Sequence, residues 1–166
     1  MTQTARGAPI VRVELDAERI TLAWPPEALR GAVSLPLGAA RIAQRFLRHV
    51  PPAPAELEMA IEAIENSIEE VDLRLAAGSV FVLAGAWPPG LSVAAPGMDR
   101  DAVENIFQRL AALALGRPAS SETLPLDAVF CAAALVLREL MHHLGVDRAM
   151  ADPDGAAAAA QRAGQT

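Results

Sequence analysis

The sequence contains no lysine, no tyrosine and a single cysteine, and its aromatic residues are limited to four Phe and two Trp. Without lysine there is no Schiff-base amine and no P-loop lysine, and without tyrosine no phenolic general acid. All 14 basic residues are therefore Arg. The lone Cys131 excludes an intramolecular disulfide, and its apolar neighbours mark it as buried and inert. Its run, Ala128 to Leu137, is the longest apolar stretch, about half of the roughly 20 residues a membrane-spanning helix requires. The opening MTQTARGAP has no apolar signal-peptide core. Dinucleotide fingerprints, phosphate loops and zinc-ligand clusters are absent, and Ser120 and Ser121 have no G-x-S-x-G context. A cytoplasmic protein with no membrane attachment is expected.

What is present is enough for a core: 166 residues, 52% of them apolar, with a positive mean hydropathy of +0.26. Such a chain folds, and its length fits one domain. The net charge of −6 supplies no overall field for phosphodiesters, which argues against nucleic acid as a partner.

The clearest element is a helix over 55–77. Leu57, Ile61, Ile64, Ile68, Val71 and Leu75 recur at spacings of four and three and form one apolar seam. Glu58, Glu62, Glu65, Glu69 and Asp72 form an acidic stripe beside it. Upstream, Val11, Val13 and Leu15 alternate with polar residues, and the alternation resumes at Ile20, Leu22 and Trp24, which predicts a hairpin. Pro25 and Pro26 end it, and a loop or short extended piece follows to Gly38. A helix is expected over Ala39–Val50, carrying Arg41, Arg45 and Arg48 on one side. Downstream, Val80–Leu83 reads as a buried strand and Leu91–Ala95 as a weaker one. A helix runs to Leu115 behind an Asp101/Glu104 capping box, and the last helix, Ala128–Leu144, is apolar nearly all round in its first half.

These elements predict an α+β fold in one domain over 1–150: a small, mainly antiparallel sheet packed by about four helices, with a disordered tail over 151–166. The order reads ββαα twice. Trp24-Pro25-Pro26 recurs as Trp87-Pro88-Pro89, and Ile42-x-Gln44-Arg45 as Ile106-x-Gln108-Arg109. These matches raise an internal duplication with pseudo-repeats 10–78 and 79–145.

Three constellations could carry chemistry. The acidic stripe is an interaction face for a basic partner or a cation, unless the Arg41, Arg45 and Arg48 row or water neutralises it. Glu139, His142 and His143 include the ExxH spacing of carboxylate-bundle metal sites; the alternative is imidazoles placed favourably at a helix C-terminus. Trp24 and Trp87 could wall a ligand pocket in which Arg45 or Arg109 anchors an anion, or they simply cap the core. With no catalytic constellation in evidence, the leading expectation is a non-catalytic interaction or assembly protein and a homodimer, with the apolar seam either joining copies or lying on the sheet of its own chain. The rival is a binding protein or enzyme for a small anion or a metal, its cofactor undetermined.

Overall fold

The computed structural model describes residues 7–24, 31–93 and 96–154. Strands β1 (Ile10–Leu15), β2 (Ile20–Trp24) and β3 (Gly31–Leu35) are followed by helices α1 (Ala39–Phe46) and α2 (Pro54–Glu69). Strands β4 (Val80–Gly85) and β5 (Met98–Asp99), helices α3 (Arg100–Ala114) and α4 (Ala128–His143), and strand β6 (Arg148–Ala151) complete the order. A single 3-10 turn, Ala119–Ser121, lies between α3 and α4.

The six strands form one sheet in the order β3-β2-β1-β4-β6-β5. β1 pairs antiparallel with β2 as its alternation predicts, with Val13 opposite Leu22. β1 pairs parallel with β4, and β4 parallel with β6. The sheet is therefore mixed, which corrects the expectation of a mainly antiparallel one. Parallel neighbours need long crossovers, here α1–α2 and α3–α4, and a local pattern of apolar residues carries no trace of which distant strand will be met. Both crossovers step in the same direction across the sheet, so right-handed connections put all four helices on one face. Burial agrees: Val11, Val13 and Leu15 are buried, while Ile10, Arg12 and Glu14 are exposed.

The ββαα duplication gains no support from this sheet, because β1 and β2 are neighbours whereas β4 and β5 are separated by β6. Of the weaker strand expected over 91–95, Ala94 and Ala95 lie outside the described residues, as do Pro25 and Pro26. Residues 91–93 form no strand. The segment from 151, expected as a tail, begins inside β6. Asp152 follows it, 5% exposed, donating its backbone N–H to Leu83 O and pairing its carboxylate with Arg12. Residues 155–166 lie outside the described residues.

α4 is the helix on which the others rest, packing against α1, α2 and α3. Phe130 to Leu137 are all buried, as are Glu139, Leu140 and Met141. Asp127 caps the helix by accepting from the N–H of Phe130 at 2.9 Å. Burial and the neighbouring Asp127 push the Cys131 thiol up to about 12, so it carries no thiolate at neutral pH. The seam of α2 faces α4 of the same chain: Leu57, Ala60, Ile64 and Ile68 are buried. Of the alternatives the sequence leaves open for the seam, the structure thus has it meeting a helix of its own chain. The helix also ends early, at Glu69 rather than 77, because Glu69, Glu70 and Asp72 crowd carboxylates onto the negative end of its dipole. Asp72 turns the chain away with a φ of 40°, leaving Val71 36% exposed. No helix among the described residues is long and apolar enough to cross a membrane.

Leu135, 0% exposed at the centre of α4, tests this arrangement. Leu135→Ala should lower the unfolding free energy by about 2–5 kcal/mol in a urea titration; a loss below about 0.5 kcal/mol would mean that α4 is not the core.

Candidate functional site: an arginine-lined groove

The turn from β1 into β2 is closed by Asp16, whose carboxylate accepts from the N–H groups of Glu18 and Arg19, both at 2.7 Å. Gly38 lies against this turn so closely that a Cβ there would sit 2.3 Å from Ala17 O. That approach lets Arg41 N donate to Ala17 O at 3.0 Å, which fixes the start of α1 at the carboxyl end of β1. Gly85, at φ +80°, closes the neighbouring β4 end in the same manner, with Leu15 O where its Cβ would be. From β1 the chain turns off toward β2, and from β4 it turns off toward β6. Crevices at the carboxyl ends of such diverging strands are where open α/β sheets hold ligands.

Beside this edge, between α1 and α2, is a groove of about 260 Å³. Arg41 and Arg45 line one wall from successive turns of α1; Asn66 and Ser67 line the other, with Leu37 and Phe46 as apolar floor. Among the described residues no carboxylate lines it, in a chain of net charge −6. The Arg45 guanidinium lies 5.3 Å from the Phe46 ring centroid and makes no ion pair among the described residues. Arg41 reaches Glu18 at 3.3 Å, both side chains about half exposed, a contact that contributes at most about 1 kcal/mol and is easily exchanged. The Asn66 amide makes no hydrogen bond among the described residues, while Ser67 Oγ donates to Ala63 O at 2.9 Å. Two planar cations and a free amide are suited to a compact oxyanion.

The walls of the groove are held in register by Glu56 in the first turn of α2. Its carboxylate accepts from Arg48 N, His49 N and Ala53 N at 3.0 to 3.3 Å and pairs with His49 Nδ1 at 2.8 Å. Burial opposes ionisation, but these donors outweigh it and hold the carboxyl at about 2.

The four residues expected around a Trp-Pro-Pro pocket are dispersed. Trp87 is buried and donates its indole N–H to Val13 O at 3.0 Å, a core position. Trp24 sits at the end of β2 opposite Gly31. Arg109 is committed to Glu122 and Thr123. Arg45 alone lines the groove, and neither Trp does. The Arg41, Arg45 and Arg48 row forms no ion pair with the acidic stripe among the described residues. Glu58, Glu62, Glu69 and Asp72 are exposed, while Glu65 turns toward the end of α4. There Glu139 and His143 approach it, but His142 is exposed. Its ring meets that of His143 edge-on at 5.6 Å, and it lines a smaller cavity of about 100 Å³ with Arg100 and Arg138. In that cavity Asp101 and Glu104 balance the guanidiniums, so it has less pull on an anion. The Arg41–Arg45 spacing was visible in the sequence; Asn66 and Ser67 as their opposite wall were not, since nothing local marks which helix faces α1.

The sequence matches no family model and no curated protein. Its fold, however, matches solved structures. A type II Ppx/GppA phosphatase of Aquifex aeolicus superposes with a TM-score of 0.70 at 12% identity, covering 90% of this chain and 54% of that one. A second structure of an Aquifex aeolicus Ppx/GppA family member gives 0.70 at 12% identity over 98% of this chain and 59% of the other. An exopolyphosphatase-like protein gives 0.68 at 13% over 92% and 57%. The chain thus spans a little over half the length of the structures it resembles. This likeness corrects the expectation of a non-catalytic interaction or assembly protein: among the structures sharing its fold, one is named a phosphatase and another exopolyphosphatase-like.

Because the folded value of Glu56 lies below the ordinary 4.5, its contribution to stability is complete above pH 4.5 and is lost as pH falls toward 2. Glu56→Gln should therefore cost about 1–3 kcal/mol at pH 7. Thermal unfolding of both proteins between pH 7 and pH 2 should show the gap closing below pH 4.5. A gap that stays constant would contradict this role.

Proposed function

We propose that this chain recognises a phosphorylated anion, an ester or anhydride of phosphate, in the α1–α2 groove and serves in its hydrolysis. The observation that carries this reading is the pairing of Arg41 and Arg45 in a groove that no carboxylate lines among the described residues, on a fold shared with a phosphatase and an exopolyphosphatase-like protein. Phosphoryl transfer is promoted chiefly by positioning and by cations on the equatorial oxygens. In a chain without lysine, guanidinium groups are the side chains that can supply that charge at neutral pH. Arg45, free of any carboxylate, takes the anion first. Arg41 joins when it exchanges Glu18 for phosphate oxygen, which leaves the Glu18 carboxylate, within reach of Arg41, to orient a water.

The likeness to phosphatases extends over just over half of their length, so recognition and turnover are measured separately. Calorimetric titration with pyrophosphate should give 1:1 binding, weakened tenfold or more in Arg45→Ala, as expected for removal of a charge-assisted hydrogen-bond donor. Phosphate release from pyrophosphate or short polyphosphate should fall with it. No saturable binding, or binding indifferent to Arg45→Ala, would remove the groove from the account.

A further inference from the structure

The acidic stripe and the histidine-bearing end of α4 meet at one point that neither pattern identifies alone. Glu65 and Asn66 are consecutive on α2 and point about 100° apart, so one faces the phosphate groove while the other reaches α4. There the Nε2 of His143 lies 3.5 Å from Glu65 Oε1 and 3.7 Å from Glu139 Oε2. We infer that Glu65, Glu139 and His143 form a site for a zinc-class divalent cation bridging α2 and α4.

Three observations carry this. The ligating atoms all lie within 4.8 Å of one another. Ligands about 2.1 Å from a tetrahedral ion are separated by about 3.4 Å, and the two contacts at 3.5 and 3.7 Å are close to that spacing. Both are too long or too poorly aligned to serve as hydrogen bonds: His143 Nε2 is shielded from solvent and has no hydrogen-bond partner. Finally, Glu139 is a carboxylate 1% exposed near the C-terminal end of a packed helix. Arg138 engages its Oε1, and Oε2 is the oxygen that approaches His143 Nε2, at 3.7 Å. An imidazole nitrogen shielded from solvent and without a hydrogen-bond partner, set beside a buried carboxylate, is costly unless a charge lies between them.

The donor set selects the ion class. One imidazole and two carboxylates suit zinc and its first-row neighbours better than the all-oxygen shells of calcium or magnesium. Three protein ligands leave a coordination position for water. His142 is not part of the set. The site shares no residue with the α1–α2 groove, so it stands or falls separately from the phosphate reading.

Untagged protein, stripped with a chelator and dialysed, should take up one equivalent of Zn²⁺ by calorimetry. Co²⁺ in its place should give visible absorption bands of a low-symmetry site. His143→Ala and Glu65→Gln should each weaken Zn²⁺ at least tenfold. The latter is at a side chain 41% exposed, where folding is not at stake and circular dichroism can verify it. His142→Ala and Glu62→Gln should bind as the parent does. Absence of saturable binding, retention of full affinity in Glu65→Gln, or loss in His142→Ala would each overturn the assignment.

Discussion

The packing of α4 against the sheet and the other three helices is the constraint on which the rest of this molecule depends. Its first half is apolar on every side, so no orientation leaves it a solvent face, and it is satisfied only when surrounded. Ala132, Ala133 and Ala134 in its middle, all buried, leave room for neighbouring backbones to come close. α1, α2 and α3 are accordingly arranged around it. The parallel pairing of β1, β4 and β6 follows, since each crossover must carry helices back over the same face of the sheet.

That arrangement determines where charge can collect. α2 gives its seam to α4, and so cannot give it to another copy of the chain. Its other sides are left to face α1 and the polar end of α4. On the α1 side the neighbours are two arginines, of which Arg41 alone reaches a carboxylate, the exposed Glu18; at the α4 end they are a buried glutamate and a shielded imidazole. A chain that is acidic overall thereby acquires one basic groove, and its acidic stripe is divided between solvent and a single inward-turned member, Glu65. Glu56 keeps α1 and α2 in the geometry both features require, by tying the connection between them to the first turn of α2.

Elements with a local signature were legible from residues alone. The alternation around Val13 and Leu22 foretold the hairpin, and the all-round apolarity of 128–137 foretold the most buried helix. Asp127 stands directly before it as its N-cap. Elements defined by distant partners were not legible. β5 is two residues long, Met98–Asp99, and β6 is Arg-Ala-Met-Ala, with none of the β-branched residues that announce a strand. Its strand state comes from lying between β4 and β5. The site divided the same way. The spacing of Arg41 and Arg45 was evident and suggested Arg45 as an anion anchor, yet beside the wrong partners, a Trp or the acidic stripe, because sequence shows which residues share a helix face and not what that face meets. Trp87 misled for the opposite reason: an indole beside two prolines suggests a pocket wall, and here its N–H is spent on Val13 O in the core.

The central claim is that the face shared by α1 and α2 holds a phosphorylated anion. Amide chemical shifts followed through a titration with pyrophosphate test it most directly, because they locate the ligand without presupposing turnover. The account predicts saturable shifts concentrated in residues 37–46 and at Asn66 and Ser67, with the strands β2 and β3 unaffected. Shifts centred elsewhere, or none at millimolar ligand, would contradict it.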